Sequence, residues 1–168
     1  MAEEVTIREI RRGDGPALAE MWLERASSAT DIEPETYRHP QEDGLGEWME
    51  WEQIGDVKKG IGTTLVAELD GRVIGMIALR LEGPMAYSEY QMVSEFDHRV
   101  LTIDAIAVRP ENRRTGTGRR LLEAAEDWGR QQGARYSASI EWARNEQSLP
   151  FFRDSGYREQ NIRFLKEL

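Results

Sequence analysis

After its leading arginine, the run RVLTIDAIAV (99–108) is apolar except for Thr102 and Asp104. That is the pattern of a central strand covered on both faces. The run ends in a short loop, RPENRRTG (109–116), and a helical pattern follows over 117–132. Leu121, Ala125 and Trp128 share one stripe of that helix, and Gly133 stands just past its end. A buried strand, a tight glycine-containing loop and an amphipathic helix in direct succession point to an α/β fold.

The remaining segments can be placed around this unit. VTIREI (5–10) alternates and reads as a first strand. A helix is expected over 13–29 with Asp14 at its N-cap, and a second near 42–55 with Trp48, Trp51 and Ile54 on one face. TTLVAEL (63–69) and RVIGMIALRL (72–81) flank Asp70-Gly71, the strongest short-range hairpin signal. Residues 83–98 have weak periodicity and read as a long excursion. ARYSASIEWA (134–143) alternates, with Ala134, Tyr136, Ala138, Ile140 and Trp142 on one side. A short helix over 148–154 and a closing strand over 161–168 complete the order β-α-α-β-β-β-α-β-α-β. This predicts one domain, 1–168, with a mixed sheet.

Composition excludes several kinds of chemistry. The chain has no cysteine, so disulfides, thiolate nucleophiles and cysteine-zinc sites are ruled out. With His39 and His98 as its only histidines, no metal site is expected. No segment approaches the roughly 18 apolar residues of a membrane span, and MAEEVTIREI lacks the apolar core of a secretory signal. A cytoplasmic location is the default expectation, with no membrane partner. The net charge of -9 argues against general nucleic-acid binding, which needs clustered cations over a broad face.

Against that acidity, residues 109–120 hold five arginines (Arg109, Arg113, Arg114, Arg119, Arg120) and one acid, Glu111. Backbone N–H groups at a helix start lack intrahelical partners, and the helix dipole is positive there. Gly116 and Gly118 let a phosphate approach that backbone, and arginines add charged, bidentate donors. A tight turn with a solvated basic helix start is the plainer alternative. The glycine spacing fits neither a Walker loop nor a dinucleotide fingerprint.

Arg113-Arg114-Thr115-Gly116-Thr117-Gly118 resembles the [Q/R]-x-x-G-x-[G/A] motif of the GNAT superfamily of N-acetyltransferases. LTIDAIAVRPENRR (101–114) resembles that family's fourth strand and following turn. EWARNEQSLPFFRDSGY (141–157) is similar to its distal segment, with Asn145, Phe151 and Gly156-Tyr157 at matching positions and Ser148 at the usual alanine. The resemblance implies the GNAT-type acyl-CoA N-acyltransferase fold, a mixed, mostly antiparallel sheet flanked by helices. It implies acetyl-CoA as co-substrate, with its pyrophosphate on Arg113, Arg114, Thr115, Gly116, Thr117, Gly118 and Arg119. Ile106, Ala107 and Val108 would lie along the pantetheine arm, and Asn145 and Phe152 near it. Phe152 departs from the family, which often has a proton-donating tyrosine there; Tyr157 or Tyr136 could stand in. Pro150 argues that the helix starts near Gln147 or Ser148, which would free Asn145 from a capping role.

Transfer to an amine needs a base, because an alkylamine with a pKa of about 10.4 is almost wholly protonated near neutrality. Asp104 occupies a position where the family often has an acidic base, and burial would tune its pKa. Glu141 is the second candidate. Pairing with an arginine, or ordering a strand bulge, is the structural alternative for Asp104. The acids Glu33, Glu35, Glu42, Asp43, Glu47, Glu50 and Glu52 either attract a cationic acceptor or form solvated helix faces. The expected activity is acetyl-CoA-dependent N-acetylation of a small-molecule or peptide amine by direct attack. A non-catalytic acyl-CoA-sensing domain is the alternative, and a homodimer is left open.

Overall fold

The computed structural model describes residues 4–164 and 166. Its sheet runs in the order β1 (Thr6–Glu9), β2 (Gly62–Leu69), β3 (Arg72–Glu82), β4 (Arg99–Val108) and β5 (Ala134–Ser139). The first four strands pair antiparallel, and β5 joins β4 in parallel. The β2–β3 hairpin turns at Asp70 (φ 50°) and Gly71 (φ 77°). Two successive left-handed residues match the twist of the flanking strands, which is why Asp-Gly selects this connection. The parallel step needs a crossover, supplied by helix α3 (Thr117–Gln131).

Helices α1 (Gly15–Ile32) and α2 (Leu45–Lys59) cover one face of the sheet. Leu18, Met21, Leu45 and Met49 pack there on Val66, Met76 and Ala105. Helix α3 and the short helix α4 (Ser148–Asp154) cover the other, where Leu121, Leu122, Ala125 and Phe152 meet Leu65, Ile77, Leu101 and Ile103. Among the described residues, no helix is long and apolar enough to cross a membrane.

Helix α1 begins where expected but is capped differently. The Asp14 side chain makes no cap bond. It accepts the Arg11 N–H at 2.8 Å and two bonds from Arg8. Burial pushes its carboxyl up, but the Arg8 and Arg11 bonds outweigh that and hold it below its ordinary range. The cap comes from α2: Glu50 accepts the N–H groups of Gly13 at 2.8 Å and Gly15 at 3.2 Å. Replacing Glu50 by alanine leaves those donors without a carboxylate. It should cost about 1–2 kcal/mol of unfolding free energy in urea titrations; an unchanged midpoint would remove the cap. On α2 itself Leu45 and Met49 are buried, while Trp48 and Trp51 are exposed. The apolar stripe expected through the tryptophans therefore runs along another face.

Strand β4 changes phase midway. The β3–β4 register slips between Ala78, opposite Ala105, and Leu79, opposite Ile103, which leaves Asp104 as the extra residue. Before this bulge Leu101 and Ile103 face α3; after it Ala105 and Ala107 face α1 and α2, and Ile106 and Val108 turn to α3. A one-residue bulge in an alternating strand has this effect.

Two C-terminal expectations change. Strand β5 ends at Ser139 rather than 143, and its apolar alternates Tyr136, Ala138 and Ile140 are exposed. Residues 161–164 and 166 form no strand, and Leu165, Glu167 and Leu168 of the expected 161–168 strand lie outside the described residues.

Candidate active site

The site is built where β4 and β5 part. Their last register pair is Ile103 with Ser139, yet β4 stays paired with β3 as far as Val108. Residues 104–108 thus have one open edge. The Arg109 N–H donates to the Ile74 carbonyl on the β3 side at 2.8 Å. Backbone direction alternates along a strand, so the N–H groups of Ile106 and Val108 face the open side. Ala107, expected beside them, has its backbone turned to Met76 and its side chain packed in the α1/α2 core.

The loop after β4 leads directly to the start of α3. Arg114 (φ 64°) and Gly116 (φ 89°) take left-handed conformations, and no side chain caps the helix. Nothing lies within 4 Å of a Cβ built on Gly116. Among the described residues, the N–H groups of Gly116, Thr117, Gly118 and Arg119 donate to no protein acceptor; the ladder starts with Arg120 N–H to Gly116 O at 3.0 Å. Thr115 and Thr117 hold the loop through an Oγ1–Oγ1 contact of 2.9 Å and a Thr115 bond to Asn112 O at 2.7 Å. The result is a cluster of outward-facing donors at a positive helix end.

The five arginines do not act together. Arg109 is largely buried, bonded to Val73 O at 2.9 Å and paired with Glu20 at 2.6 Å. Arg113 donates to Val108 O at 2.9 Å and pairs with Glu24. Arg120 donates to Val5 O at 2.6 Å. These three tie the loop and helix start to α1 and to the residue before β1. Arg119 has only an exposed pair with Glu123 at 3.3 Å, and Arg114 has no ion pair among the described residues. Exposed pairs of this kind contribute little, so Arg114 and Arg119 carry the disposable positive charge. Arg113, expected among the anion ligands, has its charge met by Glu24.

Beyond β5, Glu141 is bonded to Ser139, the β5 residue paired with Ile103 where the two strands part. It accepts Ser148 Oγ at 2.7 Å, Ser139 Oγ at 3.1 Å and Asn145 Nδ2 at 3.5 Å. Helix α4 starts at Ser148, as Pro150 required. Asn145 nevertheless caps it, its Oδ1 accepting the N–H groups of Gln147 at 3.3 Å and Ser148 at 3.2 Å. One asparagine therefore holds both the helix start and the carboxylate. Ser139 is not singled out in the sequence, although it stands two residues before Glu141 on the same side of the alternating run.

The Phe152 ring is 6% exposed and stacks edge-on against Phe151 and Tyr157. The ring is part of the core, as the Phe151-Phe152 aromatic pair suggests, rather than open to a cofactor. Neither stand-in hydroxyl faces the opening. Tyr136 is in register with Val100, at the far end of the β4–β5 pairing, and its ring packs on His98. Tyr157 shares a 2.6 Å hydrogen bond with Ser137 and donates to Glu126 on α3 at 3.1 Å. Burial, aided by the Glu126 charge, pushes its hydroxyl up to about 12 from 10.0, against a smaller opposing effect of Ser137. A raised folded value means stability is intact below pH 10 and falls as pH climbs toward 12. Tyr157→Phe should flatten the melting temperature over that interval relative to the parent chain. An identical slope in both proteins would place the titration elsewhere.

Asp104 is not buried. Its side chain is 42% exposed and held by Arg80 through bonds of 2.7 and 3.1 Å. The burial expected to tune it is absent, and the arginine pairing at a bulge is what the structure contains. On the α1 side, Trp142 stacks on Tyr37 with centroids 4.5 Å apart, and the Arg25 guanidinium lies 5.1 Å from Trp142 and 5.5 Å from Trp22. These contacts draw the chain after β5 toward α1 and away from β4. Glu42, Glu47, Glu50 and Glu52 line a separate groove of about 770 Å³ with Trp51 and Lys59. That groove shares no residue with the opening.

No curated protein matches the sequence of this chain. Among solved structures, a single-site variant of the BH1408 protein from Bacillus halodurans is similar, with a TM-score of 0.82 and 17% identity over 97% of this chain and 99% of that one. The aminoglycoside N-acetyltransferase AAC(6')-Iy in complex with CoA has a TM-score of 0.71 and 18% identity, over 99% of this chain and 97% of that one. The aminoglycoside acetyltransferase meta-AAC0020, from an uncultured soil metagenomic sample and in complex with sisomicin, has a TM-score of 0.64 and 18% identity, over 98% and 96%. At such identities these likenesses concern the fold. The family model for the Acetyltransferase (GNAT) family matches residues 21–157, and with most of its length inside that match, the chain belongs to the GNAT acetyltransferases.

Proposed function

We propose that the chain is an acetyl-CoA-dependent N-acetyltransferase that transfers an acetyl group to a primary amine by direct attack. One observation carries this reading: the unbonded N–H cluster at Gly116–Arg119 lies just beyond the open edge of β4. The residues present fit an extended ligand with an anionic end. The four N–H groups, Arg114 and Arg119 would take the pyrophosphate. Ile106 and Val108 would bond the pantetheine arm as an added strand does. When bound, acetyl-CoA supplies an activated acetyl group as a thioester whose leaving thiol has an ordinary pKa of about 8.5.

Glu141 is the proposed base for the acceptor ammonium, directly or through one water. Ser139, Ser148 and Asn145 fix its orientation, and among the described residues Oε1 accepts from Ser139 alone. Asp104 is assigned a supporting role in this scheme, since Arg80 occupies both its oxygens. The aminoglycoside N-acetyltransferases of similar fold favour an amine acceptor, whether small molecule or peptide.

Phe152 favours a second reading, an acyl-CoA-binding domain without turnover, because neither Tyr136 nor Tyr157 brings its hydroxyl to the opening. Calorimetry with acetyl-CoA and a thiol-release assay over a panel of primary amines separate the two. Binding with turnover on at least one amine is expected. Binding without turnover across the panel would favour the sensing reading, and no binding would end both.

A further inference from the structure

We infer that the acceptor amine also carries a carboxylate, as a free amino acid does, and that Arg25 takes this carboxylate while the ammonium meets Glu141. The inference rests on the acetyl-transfer reading and names the acceptor class of that same site. Among the described residues, Arg8, Arg25 and Arg109 are the arginines partly shielded from solvent. Arg8 is met by Asp14 and Glu68, and Arg109 by Glu20 and the Val73 carbonyl. Arg25 alone of these has no carboxylate or carbonyl partner among the described residues; its contacts are two indole rings. Drawing a cation away from water is unfavourable unless an anion or hydrogen bonds replace that water. For Arg25 that replacement is left to a ligand.

The guanidinium is set in place before any ligand arrives. Its Cζ lies 5.5 Å from the Trp22 ring and 5.1 Å from the Trp142 ring. Indole faces attract the cation and restrain a long side chain, but they use none of its in-plane N–H donors. Among the described residues no fully buried side-chain nitrogen lacks a partner, so the unspent donors of Arg25 reach solvent. A planar fork held this way matches a carboxylate in shape and in single charge.

Arg25 and Glu141 belong to one small region. Trp142 follows Glu141 directly in the chain, and Tyr37 stacks on Trp142 at 4.5 Å. Burial raises the Tyr37 hydroxyl above its ordinary value; the Arg25 and Arg163 charges lower it, and those of Glu33 and Glu141 add to the rise. One phenol thus feels both the cation and the carboxylate. The acids that could have drawn a polycationic acceptor are spent elsewhere. Glu33 is paired with Arg144 at 3.5 Å, and Glu42, Glu47, Glu50 and Glu52 line the separate groove. An acceptor with a positive and a negative end fits what remains.

Thiol release by the full chain, with acetyl-CoA and a set of amino acids each beside its own carboxamide, tests this. The readout is the ratio of kcat/KM for acid over amide, compared between the parent chain and Arg25→Met. Differences in amine pKa cancel in that comparison, as does any shared shift in donor binding. Methionine keeps an unbranched apolar stem between the indoles and removes the fork. The ratio should fall by about 10- to 100-fold, chiefly through KM, and Arg25→Lys, which keeps the charge, should fall between. Circular dichroism melts check folding; if the methionine variant is unfolded, the lysine variant carries the comparison. An unchanged ratio makes Arg25 a packing residue and overturns the inference. Turnover confined to amines without a carboxylate, aminoglycosides included, also overturns it and leaves the acetyl-transfer reading standing. Acetyl-CoA binding with no turnover on any amine overturns that reading, and this assignment with it.

Discussion

Glu141→Gln should lower kcat for acetyl transfer by about 10²- to 10³-fold and leave acetyl-CoA affinity nearly unchanged. The amide keeps the shape and can still accept Ser148 Oγ, but it cannot take a proton. General-base assistance is typically worth about 10²–10⁴-fold, and some of it survives through solvent base at high pH. The deficit should therefore shrink as pH rises toward the acceptor's own pKa. Asp104→Asn should cost less than about tenfold, because Arg80 already occupies that carboxylate. The two substitutions discriminate: if Asp104→Asn proved the more damaging and Glu141→Gln the milder, the base would have to be reassigned to the bulge. Steady-state rates across pH, with calorimetric affinities, make the comparison.

The second large effect is on cofactor binding. Reversing Arg114 and Arg119 together to glutamate should raise the dissociation constant for acetyl-CoA by about 100-fold or more. A hydrogen bond to a charged group contributes roughly 1.5–3 kcal/mol, and two reversals also turn local attraction into repulsion. Affinity in the parent chain should fall with added salt, and the double variant should lose most of that dependence. Arg113→Gln should behave differently. Its partners are Val108 O and Glu24, so it should lower thermal stability more than it lowers affinity. Equal losses of affinity for Arg113→Gln and the double reversal would mean that the loop arginines share the anion after all.

What could be read from the sequence was what neighbouring residues decide. Asp70-Gly71 specified a turn because both residues tolerate positive φ, and the two strands follow from their own alternation. Strand 99–108 and the start of α4 came out at their observed limits, the latter because Pro150 cannot donate in a helix interior. Features that depend on distant partners were not legible. Arg109, Arg113 and Arg120 look identical to Arg114 and Arg119 in a charge count. What separates them is Glu20, Glu24 and the Val5 carbonyl, which only folding brings near. Asp14 looked like a cap, and Glu50 from another helix does the capping. The lone carboxylate at Asp104 left a strand bulge open as one alternative, but the register with β3 that makes it, and so which side chains of β4 meet which helices, is set by folding. Strand β5 shows the opposite difficulty. Its alternation is real, but the apolar side faces outward, because nothing in a period of two says which face the rest of the molecule covers.

Helix α1 has a role that its amphipathic pattern conceals. Glu20 and Glu24 hold Arg109 and Arg113 on one wall of the opening, and the Arg25 guanidinium, lying against both Trp22 and Trp142, holds the other. The helix is a strut shared by both jambs of a doorway. Any tilt of it shifts the loop after β4 and the Trp142 side in concert, so under the proposed function substitutions along this one element should change the apparent affinities for donor and acceptor jointly rather than singly.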